Sequence, residues 1–282
     1  MSVDNAKLII TPNGYKAGKL YSVKPNDGTL DVNWQRNGSA TRVNGSGLIE
    51  SVGNDVPRLD YTSGSCPSLL VEEQRTNLLQ NSDGDLNDYQ NFNVSNSDSP
   101  ILNFSNSISF PSGSIRSSAY NRSFQAQSGN TYSLSFFIKM NDNSIPVVGS
   151  NTTTGDFSII FYGSFFSSLN IIHISKNVYR IKATKNATST STQVGVIRYE
   201  GQSGKSFKIT GLQLEEALSV TSYIPTTNTT VTRPADAPQS ITPPIGTTEI
   251  KEVFEDGSEN VITIIPPTYT IPFGRFKYII FS

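Results

Sequence analysis

Residues Thr131 to Lys139 read TYSLSFFIK. Tyr132, Leu134, Phe136 and Ile138 share one side of an extended chain, and Ser133, Ser135 and Lys139 the other. Successive Cβ atoms leave an extended backbone on opposite sides, so a period of two over this length predicts a half-buried strand. Similar runs follow. Phe157 to Tyr162 and Leu169 to Ile174 are dense apolar stretches of strand length. Tyr179, Ile181 and Ala183 alternate with Val178, Arg180 and Lys182, and Gln193 to Tyr199 is again rich in strand formers. Phe207 and Ile209 fall out of phase with Leu212 and Leu214, with Gly211 at the slip, which predicts a β-bulge there. Short strands separated by Gly, Ser and Asn turns make an all-β sandwich or jelly roll the expected fold, spanning residues 81–235.

The flanks read differently. Ser39 to Asn81 carries four brief apolar pieces: Val43, Leu48-Ile49, Leu59 with Tyr61, and Leu69-Leu70-Val71. None is long enough for a buried helix, and Pro57 and Pro67 force extended geometry on Val56 and Cys66. Ala6 to Ile10 and Lys19 to Val23 are candidate strands, Val32 and Trp34 line one side of another, and Glu72 to Leu79 is the best candidate for a short helix. Residues 1–80 are therefore expected to form an extended N-terminal attachment segment with short strands. At the other end, prolines 234, 238, 243 and 244 predict a stiff linker. Beyond it, Glu249 to Glu255 and Glu259 to Ile265 flank Asp256-Gly257, a strong hairpin signal, and Phe276 to Phe281 supplies a last strand. This C-terminal hairpin module, residues 236–282, is too small to be stable alone, so it is expected to dock on the jelly roll or on copies of itself.

Composition excludes several classes of function. Charged residues are 16% of the 282, with 22 basic against 23 acidic, giving a net charge of −1. Such a chain lacks the electrostatic footprint for nucleic acid or anionic lipid. The single Cys66 excludes an internal disulfide and a cysteine-based zinc site. No basic, apolar leader opens the chain and no apolar run reaches membrane-spanning length, so neither a signal peptide nor membrane insertion is expected.

The motifs that could carry chemistry are weak. Gly201 to Ser206, GQSGKS, ends like a phosphate-binding loop, but its first glycine is replaced by Tyr199 and a strand follows where a helix is needed, so a hairpin turn is the better reading. Asp83 to Asp88, DGDLND, opens like a calcium loop but lacks the glycine at the sixth position and the glutamate at the twelfth; a solvated turn is expected. His173 is the only histidine, between Ile172 and Ile174 in a strand, with no Gly-x-Ser-x-Gly elbow to pair with it. Glu72-Glu73 and Glu215-Glu216 hold carboxylates of the type glycoside hydrolysis uses, but adjacent acids more often split into one inward and one exposed group. For sugar binding, Trp34, Tyr120, Tyr162 and Tyr199 are candidate stacking platforms, although most of the 28 aromatics must serve as core. No residue is assigned a catalytic, cofactor-binding or metal-binding role, and no cofactor is expected.

Several stretches resemble a block found in structural proteins of tailed bacteriophages. They are ATRVN (Ala40 to Asn44), GLIE (Gly47 to Glu50), VPRLDY (Val56 to Tyr61), GSCPSLL (Gly64 to Leu70) and EEQRTNLL (Glu72 to Leu79). The resemblance extends upstream to PNGYKAGKLYSV (Pro12 to Val23), and resumes at GLQLEE (Gly211 to Glu216), at TSYIPTTNTTVTRPAD (Thr221 to Asp236) and at the final hairpin. The stretch from Tyr89 to Ser206 matches by pattern only. The resemblance implies a non-enzymatic tail-fibre or head-fibre appendage protein with a jelly roll like those of carbohydrate-binding modules. It also implies a place on the virion, contacts with other virion proteins and a homotrimer. A glycan-binding receptor-recognition module is the alternative, and a polysaccharide depolymerase a third reading.

Overall fold

In a computed structural model the structure describes residues 5–16, 19–97, 99–122, 124–161, 164–166, 168–190 and 193–282. The expected all-β class is observed: among the described residues the only helical elements are two three-residue 3-10 turns, Pro12–Gly14 and Leu86–Asp88, and no helix is long and apolar enough to cross a membrane. The Glu72–Leu79 helix expected from the sequence does not form; Arg75–Asn77 is a short strand.

The chain divides into two compact units, one of Met1–Ser46, Glu50–Gln74 and Arg233–Ser282, the other of Gly47–Ile49 and Arg75–Thr232. The expected separation of an N-terminal segment from a C-terminal module is thus redrawn. Both ends build one sheet in the first unit. Its long last strand, Gly274–Phe281, is flanked on one edge by Ile250–Phe254. Its other edge carries Leu8–Ile10 towards one end and Ser68–Val71 towards the other. Arg58–Asp60 and Glu259–Ile262 complete the sheet. The Asp-Gly hairpin forms as expected, with Ile250 opposite Ile262 and Gly257 in the left-handed region. Leu8, Ile10, Val32, Trp34, Leu69, Val71, Ile250, Phe276 and Phe281 share one core. The apolar pieces that looked too short to make a core find it within the same chain.

A buried ionic cluster fixes this unit. Arg36 and Arg58 both donate to Asp236, and all three side chains are fully buried. Arg58 also reaches Glu72 at 2.8 Å, and Arg233 lies 3.5 Å from the same carboxylate. The Trp34 indole N–H and the Glu72 backbone N–H donate to Asp236 as well. Each charge has an opposite partner, which is the condition for burying it.

The second unit is the β-sandwich. One sheet runs in the order Tyr89–Phe92, Ser117–Asn121, Val194–Arg198, Ser158–Phe161, Ser164–Phe165. The other runs Ser95–Ser97, Ser107–Phe110, Phe207–Glu216, Thr131–Met140, Val178–Asn186, Ser168–Ser175. Neighbouring strands are antiparallel in both. The core draws Ala119, Ile159, Phe161, Val194 and Val196 from the first sheet and Tyr132, Leu134, Phe136, Ile138, Ile181 and Leu214 from the second. The Thr131 strand presents the apolar face read from its alternation. It is not half-buried, however: Ser133, Ser135 and Phe137 on its other face are also covered. Phe137 packs against Phe104 and Tyr223, Ser133 donates to the Ala217 carbonyl, and Ser135 accepts from Arg180. The outer face of this six-stranded sheet is therefore covered along its Thr131–Met140 strand.

The Gly211 bulge is present. Between the pairs Ser135–Gln213 and Phe137–Thr210, Phe136 faces two residues, Gly211 and Leu212. Gly211 has φ +62, and a Cβ there would sit 2.6 Å from the Phe137 ring and 2.9 Å from that of Phe104. Gly211→Val is expected to lower unfolding stability by at least ~3 kcal/mol, backbone strain and overpacking together, measured as a shifted denaturation midpoint. Asp236→Asn takes from buried Arg36 its carboxylate partner and leaves Arg58 paired with Glu72, and is expected to cost ~3–5 kcal/mol, with the loss confined to the transition of the first unit in a calorimetric scan.

Candidate functional site

The outer face of the five-stranded sheet carries a groove over part of its area, while Ser158 and Ile197 on the same face are covered. Its register determines what stands there. Tyr89, Ala119, Val196 and Ile159 point into the core, so their neighbours along each strand point out. One outward row runs Gln90, Tyr120, Gly195, Ile160, Phe165 across the strands; the next runs Phe92, Ser118, Ile197, Ser158. Arg116 and Tyr199 flank the paired residues Ser117 and Arg198 and extend these rows by one step. Of these, Phe92, Arg116, Ser118, Tyr120, Ile160 and Tyr199 line a groove of about 710 Å³ with Gln90, Asn91, Gln193 and Glu200.

The floor is apolar and the walls are polar or aromatic. Ile160 and Ile197 are buried. Gly195 occupies the floor beside Tyr120, and a Cβ there would meet the Ala119 carbonyl oxygen and come 2.8 Å from the Tyr120 Cα. The two strands thus approach too closely for any other residue. Phe92 is 55% exposed, an unusual position for a large apolar ring on a strand. Gln193 donates to Gln90 at 3.3 Å.

Two anchors hold the groove's far end. The side-chain oxygen of Gln202 accepts from the Tyr199 backbone N–H, while its amide donates to the Thr154 carbonyl and the Ser158 hydroxyl. Arg198 is fully buried and donates to the carbonyls of Pro111, Ile115 and Lys205 and to the Ser117 hydroxyl, which fixes the loop leading into Arg116. Burial pulls the Arg198 guanidinium below its ordinary pKa. Tyr199 meets Phe165 edge-on, with ring centroids 6.5 Å apart. Burial pushes the Tyr120 hydroxyl up, and the nearby Tyr199 adds to this; hydrogen bonds from Arg116 and Ser118 act against it.

Of the four candidate platforms, the fold brings Tyr120 and Tyr199 together in this groove. Trp34 is excluded, because it is buried in the first unit with its indole N–H on Asp236. Tyr162 lies outside the described residues. Glu72 is spent on Arg58 and Arg233. Glu215 is buried and Glu216 exposed, the expected split; burial pushes the Glu215 carboxyl up although Thr221 and Gln213 donate to it. His173 is exposed on an edge strand, edge-on to Tyr179 at 5.3 Å. GQSGKS is the turn before the Phe207 strand. In DGDLND, Asp85 caps the 3-10 turn through the Asn87 N–H and Asp83 accepts from Asn106. Sequence reading did not find Phe92, Gln90, Arg116 or Gln193. Phe92 shares its side of the strand with Gln90 and not with Tyr89, and this parity has meaning only once the core face is known.

The arrangement suits reversible binding. Planar and apolar faces alternate with amide and charged groups, as in pockets that orient a ligand by a few polar contacts. Among the described residues Glu200 is the one carboxylate lining the groove, whereas glycoside hydrolysis in its usual form needs a pair.

No family model matches the chain, and no curated protein matches it. Among solved structures, it is similar to the N-terminal CBM22-1-CBM22-2 tandem domain of Xyn10C from Paenibacillus barcinonensis, at 8% identity and a TM-score of 0.35, over 74% of this chain and 85% of that one. A likeness of that degree bears on no ligand.

Proposed function

We propose that the β-sandwich binds a glycan along the open groove, and that the chain is a non-enzymatic appendage protein of a phage particle, where such binding serves attachment to the host surface. The groove carries the first part: Phe92, Tyr120 and Tyr199 offer faces for the apolar side of a sugar ring, and Gln90 and Gln193 offer amides for its hydroxyls. The motif resemblance carries the second part, together with a place on the virion, contacts with other virion proteins and threefold self-association.

The two termini complete one core within a single chain. Exposed apolar side chains of the first unit, Val261, Ile264 and Phe273, support self-association. Three copies would raise the avidity of weak sugar contacts without adding a new one. In native mass spectrometry at low micromolar concentration the chain is expected at three times 30.7 kDa; a monomer contradicts self-association, and a dimer contradicts the threefold order.

The binding reading is tested on a glycan array with the intact protein, Tyr120→Ala and Phe92→Ala. Both side chains are at least partly exposed, so the variants are expected to fold. Each should weaken the wild-type hits by about tenfold or more, ~1.4 kcal/mol of contact. Hits that survive both substitutions unchanged contradict the groove as the site.

A further inference from the structure

Building on the glycan reading, we propose that the ligand is an acidic glycan, and that Arg116 receives a sugar carboxylate. Arg116 stands in the groove wall with Tyr120, exposed to solvent. Among the described residues no carboxylate pairs with it. The contrast with other arginines is informative. Arg36, Arg42, Arg58, Arg233 and Arg275 each sit on a carboxylate, and the buried Arg198 is wrapped in carbonyls. Arg116 has neither kind of partner, and it stands exposed in the groove wall.

The chemistry follows from the fork. A guanidinium presents paired N–H donors that match the two oxygens of a carboxylate, and charge-assisted bonds of this kind are about twice as strong as neutral ones. An acidic group is drawn to Arg116. Uncharged hydroxyls are left to Gln90 and Gln193.

The test uses an array of uronic-acid-containing bacterial surface oligosaccharides beside their carboxyl-reduced, neutral counterparts. The intact protein should bind uronates, with reduction weakening each hit by about tenfold or more. Arg116→Gln should lose the same preference with an unchanged denaturation midpoint. Arg116→Lys should recover only part of it, since the charge remains and the fork does not. Raising salt should weaken wild type and leave Arg116→Gln nearly unaffected. Binding that is equal for acid and reduced forms, or unaltered in Arg116→Gln, overturns the proposal while leaving a neutral-glycan reading intact. An array without hits overturns the glycan reading itself, and the acidic preference with it.

Discussion

A strand has two faces, and in the sandwich the core consumes one face of each sheet. What happens to the other two decides where a ligand can go. On the six-stranded sheet Phe137 and its neighbours are closed off by Phe104, Tyr223 and the segment around Ala217. On the five-stranded sheet the outward side chains of Gln90, Phe92, Tyr120 and Tyr199 border a groove. Strict alternation then forces Tyr120, Phe92 and Ile160 outward as the price of placing Ala119, Tyr89 and Ile159 inside. A slip of one residue would exchange the two sets, so the same register that fills the core also composes the groove.

Buried polar groups explain the recurrent motifs. Asn77, from EEQRTNLL, donates to the carbonyls of Leu212 and Ile224 and accepts from the Leu79 and Leu214 N–H groups. Its partners lie in GLQLEE and in the TSYIP stretch. Arg58 from VPRLDY, Glu72 from EEQRTNLL and Asp236 from the end of the TSYIP stretch make the ionic cluster of the first unit. Such residues are hard to replace singly, because removing one partner leaves the other buried and unsatisfied. The motifs therefore record architecture. The groove lies in the stretch between them, which matches by pattern alone.

This division also sets what could be read from the residues. The sandwich strands were legible where apolar alternation was clean, as in Thr131 to Lys139, and the bulge where the phase slipped at Gly211. The union of the two ends was not legible, since pairing of Leu8–Ile10 with Phe281 depends on contacts across nearly the whole chain. Trp34 was misread for a related reason: its partner, Asp236, is some two hundred residues away. Of the site, Tyr120 and Tyr199 could be named as aromatics of suitable kind. Their convergence, and the part played by Phe92 and Arg116, required the strand order.

Aromatic-side-chain NMR bears most directly on the central claim. With carbon-13-labelled Tyr and Phe, titration with a glycan that binds should shift the ring signals of Phe92, Tyr120 and Tyr199 together, and leave Tyr223, Phe137 and Tyr269, which are buried elsewhere, where they are. Shifts that fall on rings outside the groove while these three stay fixed would contradict the account.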